Sequence, residues 1–281
     1  MRILITGANG LVGTACQLNA LKMKLDISIV SSKRNIFPSI KCYGSLSEIK
    51  NKEFDILIHC ASATPNNSDF DQIFQINRKI DNNLCDFIKN HSYIKHVIYL
   101  STMSVYGSIN LDLIDENTEP ISPNQYGLSK LLGEIDLEKT CNKSNKKLAI
   151  LRLPGVIGKK MPEVFFKRLY DSILSQTEIT IRSKKSQFNN AVLDSDIFHT
   201  ALKIFDNQKD NKIILNHHSE NILTLEKLIH YTSELIGKKS IIKETQDCNP
   251  PFLISNNNND DLLFKSKIEF MVSTFHKEYN S

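Results

Sequence analysis

The chain lacks any apolar run near the roughly 18 residues that a membrane-spanning helix requires, which argues against a membrane partner. It also lacks a strong charge of one sign. With 35 basic residues against 31 acidic ones it carries a net +4 and no basic stripe, so neither nucleic acid nor an anionic membrane is expected as a partner. Cysteines occur at 16, 42, 60, 85, 141 and 248, but no two form a C-x-x-C pair. Neither a zinc site nor a disulfide framework is implied, no metal is expected, and the setting is read as reduced and cytoplasmic. There is no internal repeat. The start, "MRILITGANGLVG", reads as a strand and a glycine-punctuated turn rather than a signal peptide.

What is present is a core. The 281 residues are 41% hydrophobic, which suits one large α/β domain or a nucleotide-binding domain with a smaller appendage. Short continuous apolar runs, "RILIT" (2–6), "ISIVS" (27–31), "FDILIHCAS" (54–62), "KHVIYLS" (95–101) and "KLAILRLP" (147–154), read as strands buried on both faces. Helical periods separate them, as in Phe70, Ile73, Phe74, Ile80, Leu84, Phe87 and Ile88, or Leu128, Leu131, Leu132 and Ile135. The alternation predicts an α/β, Rossmann-type, doubly wound parallel sheet over residues 1–158. Residues 159–281 are expected to form a small C-terminal α+β substrate lobe, interleaved with the sheet around 190–220. In that part "MPEVFFKRLYDSIL" (161–174) and "LTLEKLIHYTSELIG" (223–237) read as helices, "DNKIILNH" (210–217) as a strand and "SNNNNDD" (255–261) as a loop.

"TGANGLVG" (6–13) follows a strand and opens a helix. Gly7 permits a tight turn, Gly10 lets backbone approach a pyrophosphate at the helix N-terminus, and Gly13 allows close packing. With Asn9, Leu11 and Val12 they make a candidate dinucleotide cradle. The second strand ends in "IVSSKRN" (29–35), without the carboxylate that would hold the ribose hydroxyls of NAD. Ser32, Lys33 and Arg34 instead suit the 2′-phosphate of NADP, with a solvated basic loop as the plain alternative and NAD still possible.

"HVIYLSTMSVYG" (96–107) ends a strand in small hydroxyl residues, and "SPNQYGLSK" (122–130) places a tyrosine four residues before a lysine. Ser122, Pro123 and Gln125 read as a helix start with Ser122 as the cap. Tyr126 then falls in the first turn with Lys130 on the same face, where an ammonium would lower the tyrosine pKa. Together with the glycine loop, these stretches resemble the extended short-chain dehydrogenase/reductase family, the NAD-dependent epimerase/dehydratase group that includes nucleotide-sugar 4-ketoreductases. "DILIHCAS", "QINRKIDNNLCDFI", "LRLPGVIG", "VLDSDIFHTAL" and "IILNHHSENILTLEKLIHYTSELIGK" extend the likeness to about residue 240.

The resemblance implies Thr102, Tyr126 and Lys130 as catalytic residues. Thr102 holds the reacting oxygen, Tyr126 exchanges its proton, and Lys130 orients the nicotinamide ribose. It further implies cofactor contacts from Cys60, Ala61, Ser62, Asn77, Leu153 and Val156. Ser45 and Leu46 stand where relatives often carry an aspartate for adenine. Thr64, Ser104, Tyr126 and Arg182 are candidate substrate contacts, and Arg182 with Lys167 and Arg168 are candidates for a substrate diphosphate, each with a solvated surface role as the plain alternative. Relatives that eliminate water place Asp-Glu after the threonine. Met103 and Ser104 stand there here, which disfavours a dehydratase. The expectation is an NADPH-dependent reductase of a nucleotide-activated keto sugar. Alternatives are a nucleotide-sugar epimerase holding tightly bound NAD, and a non-catalytic NADP-binding regulatory protein. Helices 69–90 and 125–141 form the dimer-building pair in many relatives, which makes a homodimer possible. His217, His218 and His59 are read as structural.

Overall fold

Apolar β-branched stretches become strands because such side chains pack on a pleated surface, and here they alternate with helices along the chain. The computed structural model describes residues 1–33, 37–50, 52–65, 70–108, 110–246 and 252–280. Its centre is a seven-stranded sheet in which every paired neighbour runs parallel. The strands are β1 (Arg2–Thr6), β2 (Asp26–Val30), β3 (Lys41–Tyr43), β4 (Ile56–His59) and β5 (His96–Thr102). After the two-residue β6 (Leu113–Ile114) come β7 (Lys147–Leu153), β8 (Gly155–Ile157), β9 (Glu178–Ile181), β10 (Gln187–Phe188), β11 (Ala191–Leu193) and β12 (Lys212–Asn216). The central order is β3-β2-β1-β4-β5-β7-β12, so the chain reverses direction across the sheet between β1 and β4. That reversal opens a crevice at the carboxyl ends of the strands.

Alternate residues of each strand face opposite sides. Ile3, Ile5, Ile29 and Ile58 join one buried cluster with α1 (Leu11–Lys22) and α5 (Asp194–Asn207). Leu4, Leu57, Val97 and Tyr99 join another, covered by α2 (Phe70–Asn90) and α3 (Gln125–Lys143). A third cluster belongs to the C-terminal lobe, where α4 (Phe165–Ser175), α6 (Leu225–Ile236) and α7 (Ile268–Tyr279) pack around Phe166, Tyr170, Met271 and Phe275. The remaining short strands β13 (Leu223–Thr224), β14 (Ile241–Glu244) and β15 (Leu253–Ile254) pair with β10, β9 and β6.

One local expectation is corrected. Ser122 is not the cap of α3. It takes a left-handed conformation (φ 50°) while the chain is still turning, and Asn124 caps the helix by accepting the Gly127 N–H at 2.8 Å. "SNNNNDD" is a loop as expected, ending in a short 3₁₀ turn, and it is anchored by its side chains. The Asn256 side chain accepts the Asn216 N–H (2.8 Å) and donates to the Asn216 carbonyl (2.9 Å), prolonging the edge of β12. Asn216 in turn accepts the Tyr106 hydroxyl, so this polar segment is strapped across the strand end.

Candidate functional site

Gly7 sits at φ +64°, and a Cβ there would run into the backbone of Cys60 and Ala61. Only glycine lets the β1–α1 loop lie on the end of β4. Gly10 precedes the first turn of α1 with no side-chain cap, and no acidic residue stands in that turn. The helix start therefore presents backbone N–H groups and the positive end of its dipole to the crevice, an arrangement that fits a pyrophosphate. A Cβ at Gly13 would overlap Gly7 O and Ala8, so this glycine closes the loop upon itself.

A cleft of about 1230 Å³ extends from this loop toward the lobe. Among the candidate residues, Gly10, Leu11, Val12 and Gly13 line it after β1, and Cys60, Ser62 and Thr64 after β4. Thr102 and Ser104 line it after β5, Tyr126 from α3, Leu153 and Val156 around β7, and Arg182 and Arg168 from the lobe. Gly7, Asn9 and Ala61 belong to the loop and its seat rather than to the lining. Ser32 and Lys33 stand past β2, while Arg34 lies outside the described residues, as does Cys248. Ser45 is bonded to Ser47 (2.8 Å), and Leu46 packs on the α2/α3 side of the sheet. Lys167 does not reach the cleft; it pairs with Asp171 on its own helix.

Thr102 closes β5, where its hydroxyl accepts the Ser104 N–H at 3.2 Å. Tyr126 faces it from the first turn of α3. Burial pushes the Tyr126 phenol above its ordinary value, while the hydroxyls of Thr102 and Ser62 act in the other direction by hydrogen bonding. The lowering by Lys130 anticipated from the spacing is thus replaced by a rise in the chain by itself. The reason is where Lys130 goes. Its side chain is 1% exposed, and its ammonium lies 3.9 Å from the centroid of the Tyr99 ring. Burial lowers the Lys130 pKa, and Asp81 and Glu134 oppose that shift.

Asn77 lies behind the cleft wall. Its amide accepts the Ala63 N–H (2.7 Å) and the Ser62 hydroxyl (3.2 Å), and donates to Ala63 O and Ser129 (both 3.1 Å). Beneath the site, Glu134 accepts two bonds from Arg152 and one from Ser101, and Arg152 also donates to Tyr106. Sequence reading passed over Asp81, Tyr99, Glu134 and Arg152. For Asp81, Glu134 and Arg152 the available signal was a charged residue within an apolar helix or strand pattern; Tyr99 carried none.

Fold and cleft together define a Rossmann-type α/β protein with a glycine-loop cradle opening onto a site lined by Thr102 and Tyr126, with Lys130 buried behind it. The family sequence model described as "NAD dependent epimerase/dehydratase family" matches residues 3–216, and the chain belongs to that family. Among curated proteins, the UDP-2-acetamido-2,6-beta-L-arabino-hexul-4-ose reductase of Pseudomonas aeruginosa is 23% identical over 220 residues, covering 76% of this chain and 52% of that protein. A protein of Methanocaldococcus jannaschii, whose name assigns it provisionally to the UDP-glucose 4-epimerases, is 28% identical over 176 residues, or 56% of this chain and 57% of that one. The chain thus spans about half the length of the curated relatives it matches. Among solved structures, the UDP-glucose 4-epimerase of Thermotoga maritima with UDP-glucose has a TM-score of 0.80 at 18% identity, over 100% of this chain and 99% of that one. The UDP-glucuronic acid 4-epimerase of Bacillus cereus in complex with NAD has 0.80 at 19%, over 100% and 96%. No helix among the described residues is long and apolar enough to cross a membrane.

Proposed function

We propose that the chain is an NADPH-dependent reductase of a nucleotide-activated keto sugar, a 4-keto-6-deoxy hexose being the substrate class to test first. The carrying observation is that Thr102 and Tyr126 meet at the cleft floor, beside a glycine loop shaped for a pyrophosphate and above the buried ammonium of Lys130. The bound dinucleotide would supply the hydride. Gly7, Gly10 and Gly13 shape its cradle, and Ser32 and Lys33, without a neighbouring carboxylate, suit a 2′-phosphate. Tyr126 holds a proton at its phenol for the oxygen of the sugar carbonyl. A high pKa keeps that proton in place until charge develops on the oxygen. Thr102 offers a second hydrogen bond to the same oxygen, in a crevice where such bonds are worth more than in water. Lys130 supports the ribose side of the site. Arg182 and Arg168, on the lobe wall, suit a diphosphate. Exposed Ile76 on α2 and Ile135 on α3 support a homodimer through that helix pair.

A second reading, a nucleotide-sugar epimerase, is favoured by the names of the structural relatives. The two readings differ in cofactor use. Purified protein is assayed with nucleoside-diphosphate 4-keto-6-deoxy hexoses and UDP-hexoses, and its retained dinucleotide is identified. Stoichiometric NADPH oxidation supports the reductase. Retained NAD with interconversion of UDP-hexoses and no net oxidation replaces it with the epimerase.

A further inference from the structure

Lys130 is a cation taken almost wholly out of water, and such a group needs a counter-charge nearby or it gives up its proton. Four elements present titratable groups to it: Asp81 from α2, Glu134 from α3, His59 and Cys60 from the end of β4, and Tyr99 from β5, with Tyr126 of α3 acting on the Tyr99 side. Glu134 is committed elsewhere, since Arg152 holds both of its oxygens and Ser101 donates to one. His59 is neutral, its pKa lowered to about 3 by burial and by Lys130 itself. Its Nδ1 meets the Thr6 hydroxyl at 2.8 Å, and its Nε2 stands 3.8 Å from Asp81, beyond hydrogen-bond reach. Asp81 remains. It is 1% exposed, and its Oδ2 accepts the Tyr99 hydroxyl at 3.0 Å, on the ring that carries the Lys130 ammonium.

A second feature points to the same group. Gly133 lies in the interior of α3, where glycine costs about 1 kcal/mol against alanine. A Cβ there would overlap both the Tyr99 Oη and the Asp81 Oδ2. The catalytic helix is thus notched where this pair reaches it, one turn beyond Lys130.

We propose that Asp81, acting through Tyr99, is the buried counter-ion of Lys130: a positioning residue that keeps the ammonium charged and fixes where it stands beneath the cleft. The role of Lys130 in turnover rests on the reductase reading; its electrostatic dependence on Asp81 does not. Burial pushes Asp81 up and Lys130 down, and their mutual attraction opposes both shifts. Removing the carboxylate therefore moves Lys130 further down.

The test follows the Lys130 titration directly, by NMR of the full chain labelled with ¹³Cε-lysine, with Lys130→Arg used to assign the resonance. In Asp81→Asn the midpoint falls by about one pH unit or more. In Tyr99→Phe it falls by less, and Asp81→Glu returns most of the shift. Where turnover is measurable, the alkaline limb of kcat moves down in the same order, which a purely packing role would not produce. An unchanged or raised midpoint in folded Asp81→Asn overturns the proposal. If that variant does not fold, an unchanged midpoint in Tyr99→Phe overturns it instead. The titration needs neither substrate nor cofactor. Absence of keto-sugar reduction would thus refute the function and leave the Asp81 result standing, while reduction with an unmoved midpoint would do the reverse.

Discussion

Asn77 on α2 donates to the Oγ of Ser129 on α3 at 3.1 Å, and Ser129 donates to the backbone carbonyl of Tyr126 at 2.7 Å. The loop after β4 is thereby tied to the helix turn that carries the phenol. Asn77→Ala takes the partner of the half-buried Ala63 N–H and one of the two partners of the Ser129 hydroxyl, at a cost of about 1–2 kcal/mol. The expected result is a lowered melting temperature and a kcat loss larger than any weakening of dinucleotide binding, read by thermal shift and steady-state kinetics.

Tyr126→Phe removes only the phenolic hydroxyl. Turnover should fall by roughly 10²–10⁴-fold, with NADPH affinity within a few-fold of wild type by fluorescence titration. Unchanged turnover would sink the assignment of Tyr126 as proton donor.

The Glu134–Arg152 pair, with side chains 4% and 6% exposed, is a buried ion pair locked by Ser101 and Tyr106. Breaking one side leaves an uncompensated charge in the core, which costs about 3–5 kcal/mol. Glu134→Ala should lower the midpoint of denaturant unfolding accordingly. The double change Glu134→Leu with Arg152→Met should recover a large part of the loss.

Asp194 opens α5 against Gly158, and burial, with Glu278 and Asp196 nearby, raises its pKa to about 7. A carboxyl raised above its ordinary 3.8 stabilises the fold fully below that value, and the contribution is lost as pH rises through about 7. Asp194→Asn should therefore gain on the order of 2 kcal/mol over wild type at pH 8 and little at pH 4. Melting temperatures at the two pH values check this.

The strands, the glycine loop and the Tyr126–Lys130 spacing were legible because each rests on local chemistry: β-branched runs, residues that tolerate a positive φ, and helix periodicity. The helix start was misplaced by two residues because Ser122 and Asn124 are both good caps. The choice fell to the turn at Ile121–Ser122, where Ile121 bridges to Gly107. The polar segment 255–261 was legible as a loop, but its anchoring was not, because its hydrogen bonds run to Asn216 and Glu116, far away in the chain. Lys167 and Arg182 looked equivalent as lone cations; packing turned one toward Asp171 and the other toward the cleft.

The family, the main alternation of strands and helices, and the candidate Thr102, Tyr126 and Lys130 followed from the sequence alone, since hydrophobic period and motif spacing are properties of neighbours. The electrostatic state of those side chains did not. Burial and the hydroxyls of Thr102 and Ser62 set how firmly Tyr126 holds its proton, while burial opposed by Asp81 and Glu134 sets the state of Lys130, and those groups meet only when long-range packing excludes water between them.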